Sequence, residues 1–211
     1  SYAIPARTAV VTGAESLDIV MDGLPSPNLV KAFIHAAKQL ESEGAIAIVS
    51  TCGFLVSIQN QIANAVTIPV LLSALSLHPQ IRAAHQGKPI GILTASRKDL
   101  GQTALKAANV NFKDAYVEGM EDCRSFTDAI LKPKAQQVLE IDCTQIEGAV
   151  VKKAQNLLQI NPNIAAFLLE CGNLPPYSDA IKRATGRPVY SIIDGANDMI
   201  ERANYQTIKT T

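Results

Sequence analysis

Apolar residues fall along this chain in two alternating patterns. Short apolar or β-branched runs at 8–12, 45–50, 69–72, 89–94, 115–118, 164–169 and 189–193 each predict a strand. Between them the spacing becomes helical. Ser26 caps a helix that has Pro27 in its first turn, Val30, Phe33, Ile34 and Ala37 on one face, and Gly44 as its stop. A second helix is expected from about Leu55, and Ser96 is expected to cap another that runs through Ala108. Thr144 and Glu147 form a capping-box pattern for a long helix to Leu158, and a further helix begins near Pro175 and ends at Gly186. The tail from Asn197 has the periodicity of a closing helix. Strands alternating with helices predict an α/β fold of short parallel sheets flanked by helices.

Sliding the chain over itself by 119 positions exposes an internal repeat. Cys52 falls on Cys171, Gly53 on Gly172, Leu55 on Leu174, Ile62 on Ile181, Ala65 on Ala184, Pro69 on Pro188 and Val70 on Val189. Each copy reads as apolar strand, Cys-Gly, helix, then Pro-Val opening the next strand. The repeat predicts two pseudo-symmetric lobes, 1–86 and 87–193, with 194–211 as a closing helix and tail, and an active site in the cleft between the lobes. The second copy carries an extra strand and helix, 89–108, ahead of the segment 115–119 that resembles 9–13. The first lobe is therefore expected to lack an opening strand, on the order of 20 residues at the N-terminal side.

In a parallel α/β sheet, ligands sit outside the carboxyl ends of the strands. Both repeated cysteines have that address. A helix N-terminus after each supplies N–H groups and a positive dipole end, which are expected to lower the thiol pKa from about 8.5. Two thiols facing one carbon from opposite lobes make a two-base device that removes a proton on one side and returns one on the other. Cys52 and Cys171 are the candidate catalytic pair. Ser50, Thr51, Gly53, Gly172 and Asn173 flank them, and Thr94 and Ser96 end a strand on the same edge. These seven are the candidate substrate-binding residues. Gln59 is solvated or reaches inward from the helix after Cys52, and Arg97 is a candidate for steering an anion. Cys123 and Cys143 read as structural, and His35, His78 and His85 as surface or packing residues.

Composition narrows the partners. The 211 residues carry 19 basic and 19 acidic side chains, so no basic surface collects nucleic-acid phosphates. The longest apolar stretches are far short of the roughly 20 residues a membrane-spanning helix needs. No secretory signal is visible, which makes a cytoplasmic location the expectation. The cysteines lack the close pairs of structural zinc sites, so no metal is expected.

Two strings carry a resemblance. Ser50-Thr51-Cys52-Gly53-Phe54-Leu55 and Leu169-Glu170-Cys171-Gly172-Asn173-Leu174-Pro175-Pro176-Tyr177 resemble the two cysteine motifs of the aspartate/glutamate racemase superfamily. The similarity extends through Gly91-Ile92-Leu93-Thr94-Ala95 and Arg187-Pro188-Val189-Tyr190. It implies a homodimeric, pyridoxal-independent enzyme, needing no cofactor, that racemises or epimerises the α-carbon of an aspartate- or glutamate-like carboxylate with Cys52 and Cys171 as acid and base. Relatives of that kind also include decarboxylases and cis–trans isomerases of small dicarboxylates, of arylmalonate or maleate type. A decarboxylase needs one thiol as proton donor, so two thiols favour inversion. A two-lobe carboxylate-binding protein without chemistry is the non-enzyme alternative. The chain departs from the superfamily pattern at Gly172, where a threonine is usual.

Overall fold

The computed structural model of the chain describes residues 2–20, 23–111 and 115–209. After an irregular N-terminal segment comes the single turn α1 (Ser16–Ile19), and then α2 (Pro27–Ser42). Ser26 caps α2 by accepting from the Leu29 amide at 3.3 Å, and Gly44, at φ +92°, turns the chain out of it. Strand β1 (Ile48–Val49) leads to a 3-10 turn (Gly53–Ile58) and α3 (Gln59–Ala63). Strand β2 (Val70–Leu71), a second 3-10 turn (Ala74–Leu77) and α4 (His78–Ala84) follow.

The second half holds β3 (Ile90–Thr94), α5 (Gln102–Ala107), β4 (Tyr116–Gly119), the short α6 (Arg124–Phe126) and α7 (Cys143–Ile160). Next are β5 (Ala166–Leu169), α8 (Ser178–Thr185), β6 (Val189–Tyr190) and α9 (Ile192–Lys209). Among the described residues, β1 and β2 form a two-stranded parallel sheet, and the other strands form a parallel sheet of order β4-β3-β5-β6. The central strands β3 and β5 are buried along their whole length, as continuous apolar runs in a sheet covered on both faces require. Val150, Ala154 and Leu157 of α7 are buried in the core that covers this sheet.

The internal repeat holds to the level of ladder register. Ile48 pairs with Val70 and Val49 with Leu71, while Phe167 pairs with Val189 and Leu168 with Tyr190, each pair being the other displaced by the repeat. The helices α3 and α8 begin at equivalent residues, Gln59 and Ser178. Helix α9 packs back on the first half, where Gly195 lets Leu71 and Leu77 approach its backbone. The amide of Ala3 donates to Asn197 on the same helix at 2.8 Å.

Several elements differ from their expected form. Residues 8–12 are not a strand: in the second half the matching segment β4 pairs with β3, and among the described residues of the first half nothing stands in the place of β3. Without that ladder the segment is held by side chains, including an Arg7–Glu43 ion pair. Ser96 does not cap a helix. Its hydroxyl donates to Asp99 at 2.6 Å and closes a turn, and α5 starts only at Gln102. The cap of α7 is Asp142, not Thr144, because a carboxylate accepts the Gln145 amide, at 2.9 Å, next to the positive end of the helix dipole. The strand expected over 189–193 stops at Tyr190, since Ser191 and Asp194 form their own cap and start α9.

Ile92 is fully buried at the centre of β3, so Ile92→Ala leaves a cavity that neighbouring strands cannot close. The expected cost is about 2–5 kcal/mol, read as a lower urea midpoint with unchanged slope.

Candidate active site

The two Cys-Gly loops leave the carboxyl ends of β1 and β5, strands equivalent under the repeat, and meet back to back. A Cβ on Gly53 would overlap the Glu170 carboxylate and carbonyl, and a Cβ on Gly172 would overlap the Thr51 carbonyl. The two contacts are images of each other under the repeat: the residue after each cysteine packs on the residue before the other. This explains glycine at 172. A threonine there would drive its side chain into the Thr51 backbone.

The interlock places Cys52 and Cys171 on one cleft of about 570 Å³, a size that suits a small molecule. Phe33, Phe54, Leu55, Leu72 and Ile130 give it an apolar wall, with Thr51, Glu170 and Asn173 among its polar groups. Cys171 is 6% exposed and Cys52 is half-buried. The backbone amides of Phe54 and Leu55 point to the Cys52 sulfur, and the Asn173 side-chain amide donates to Cys171 Sγ at 3.7 Å. All four cysteines are free thiols.

These donors act in the expected direction but do not prevail. Burial, then the Glu170 carboxylate, then Cys171 push the Cys52 thiol far above its ordinary pKa. Burial and Glu170 push Cys171 up to about 12, against the opposing pull of Asn173. The thiol pKa values thus run against the expectation of thiolates accessible near neutral pH. A short 3-10 turn offers only a few amides, which do not outweigh desolvation together with a neighbouring negative charge.

Glu170 is the site residue that motif spacing missed. It is 1% exposed, takes a hydrogen bond from Thr94 Oγ1 on Oε2 at 2.7 Å, and accepts none on Oε1 among the described groups. Burial raises its pKa to about 7, although Thr94 and the Ala95 amide pull the other way. The available signal was a charged residue ending an otherwise apolar strand, a position that needs a reason.

The other expected residues divide into two groups. Ser50, Thr51, Gly53 and Asn173 line the cleft with the thiols, and Gly172 lies between two lining residues. The Ser50 hydroxyl is engaged in the loop itself, 2.8 Å from the Cys52 and Leu72 carbonyls and 3.0 Å from the Cys52 amide. Thr94 and Ser96 are corrections: both are buried behind the cleft, Thr94 against Glu170 and Ser96 against Asp99. Gln59 bridges the Val70 carbonyl and Leu72 amide, both at 2.8 Å, as a brace for β2. Arg97, His35, His78 and His85 are not on the cleft. Among the described residues, no group of three or more His, Cys, Asp or Glu residues is placed to hold a metal, and no helix is long and apolar enough to cross a membrane.

Arylmalonate decarboxylase superposes on this chain with a TM-score of 0.55 at 16% identity, over 86% of this chain and 79% of that one. The glutamate racemase of Bacillus anthracis superposes with a TM-score of 0.52 at 17% identity, over 87% and 66%. The chain has the aspartate/glutamate racemase fold. Both cysteine loops line the one cleft described above. No protein-family model matches the racemase-fold chain. In sequence it is similar to the dimethylsulfoniopropionate lyase of Durusdinium sp. clade D, 32% identical over 208 residues and 95% of this chain. The chain spans 66% of that protein's length, and about half the length of several Emiliania huxleyi dimethylsulfoniopropionate lyases that it also matches.

Alanine at Gly53 or Gly172 pushes the two loops apart. Each variant is expected to lose about 1–3 kcal/mol of stability in thermal melts, as overpacked sites do. Alanine at Gly148, a helical glycine with nothing near its Cβ position, serves as the tolerated control.

Proposed function

We propose that this chain is a lyase that removes the α-proton of a small carboxylate and expels a sulfide from the β-carbon, with dimethylsulfoniopropionate as the substrate. The observation that carries this is the pair of thiols on a single cleft, because proton removal next to a carboxylate is the chemistry two buried thiols can serve. The leaving group comes from the sequence relatives, whose names give a sulfonium propionate.

A cysteine thiolate takes the α-proton, forming an S–H bond as the C–H bond breaks. The electron pair becomes the α,β double bond while the β-carbon–sulfur bond breaks, and the sulfonium leaves as neutral dimethyl sulfide. Acrylate and a protonated thiol remain, and the thiol returns its proton to solvent. Thr51 and Asn173 are the polar side chains on the cleft available to substrate oxygens, and the apolar wall keeps water from the carbanion-like transition state.

Racemisation is the second reading, favoured by the symmetric placement of Cys52 and Cys171. The two share their first step. A substrate with a β leaving group eliminates, whereas one without it is reprotonated from the opposite thiol.

The test is headspace detection of dimethyl sulfide, with aspartate and glutamate in deuterated water as the racemase arm. Dimethyl sulfide release is expected, and alanine at the cysteine that takes the proton, Cys52 or Cys171, is expected to reduce it by about 10²–10⁴-fold. Exchange of the amino-acid α-proton without any sulfide release would select the racemase instead. Because burial and Glu170 raise both thiol pKa values, the thiolate fraction grows with pH. For a thiolate base, kcat/KM is expected to climb from neutral into the alkaline range, and a flat profile there contradicts it.

A further inference from the structure

We infer that Glu170 selects the substrate class: its free carboxylate oxygen is the counter-charge for a permanently cationic onium group on the substrate. The inference rests on the reading of the cleft as a site for small carboxylates.

A buried carboxylate oxygen without a partner is costly, and native structures tolerate one where a ligand supplies what is missing. Thr94 fixes Oε2, so the carboxyl group cannot turn freely, and Oε1 is buried against the Gly53 backbone, in a residue that lines the cleft. The cationic side chain lining the cleft is Arg7, which is paired with Glu43. Of the other ionisable lining groups, Glu15 accepts from the Lys134 amide at 3.2 Å, and Tyr2 and the two thiols bring no positive charge.

A substrate carboxylate entering this cleft therefore adds a negative charge beside one that no described lining residue offsets. At low dielectric such a pair is strongly repulsive. A substrate with its own fixed positive charge removes the conflict, since it is neutral overall and its cation faces Glu170. An onium group has no N–H to donate, so it is held by charge and by its methyl groups, for which Phe33, Phe54 and Tyr2 provide aromatic surface. The same cation offsets the Glu170 charge that, after burial, raises the thiol pKa values, and so eases formation of the base when the substrate arrives. Burial raises the Glu170 pKa to about 7, and a bound cation favours its ionised form.

The test is calorimetric binding by the full chain of 3-(trimethylammonio)propionate and of its uncharged-head isostere 4,4-dimethylpentanoate. At about pH 8, above the Glu170 titration, the onium compound is expected to bind about tenfold tighter or better. Glu170→Gln is expected to bring the ratio to about one. Acidifying the unmutated chain through pH 7 should do the same, which keeps the test decisive where the variant does not fold. Equal affinities in the unmutated chain, or a preference that survives both Glu170→Gln and acidification, overturn the inference. Dimethyl sulfide release is scored separately. An onium preference without release overturns the lyase reading alone, and release without an onium preference overturns the role of Glu170 alone.

Discussion

The reciprocal contact of two Cys-Gly loops is the constraint on which the rest of this molecule depends. Gly53 against Glu170 and Gly172 against Thr51 bring two strand ends closer than any side chain at either glycine would permit. The fold supplies the strands in matching register, with β1–β2 and β5–β6 paired at equivalent residues, so the loops arrive in mirror roles. One close approach thus builds the cleft, orients both thiols into it and places Glu170 beside them. Helix α9, returning from the second half to cover Leu71 and Leu77, helps to hold the halves in that relation.

The electrostatics of the cleft follow from the same packing. Three acidic groups, two thiols and a carboxyl, are buried together, with Arg7 on the rim committed to Glu43. Burial raises the pKa of all three, and the Glu170 carboxylate raises the two thiols further. A positive charge brought into such a site favours the ionised form of each group. An onium carboxylate brings its own compensation, whereas an uncompensated dicarboxylate adds to the strain.

Much of this was legible in the chain. The repeat located both cysteines and anticipated a strand pairing that holds residue for residue, because such pairing is carried by apolar runs and by Pro-Val openings that sequence displays directly. Ser26 and Gly186 marked helix ends because caps are local. What could not be read was decided by neighbours. Residues 8–12 have the composition of a strand but no ladder to join. Ser96 preferred Asp99 to a helix, and Thr94 turned to Glu170 and away from the cleft. The thiol pKa values went against the helix-terminus rule because burial is set by tertiary packing, and Glu170 was hidden because its role depends on Gly53, more than a hundred positions away in the chain.

The most direct test of this account is a crystal structure of the chain with acrylate, the proposed product, in the cleft. The account predicts both sulfurs within about 4 Å of the same carbon, one on each face. Acrylate bound away from the thiols, or packed side chains separating Cys52 from Cys171, would contradict it.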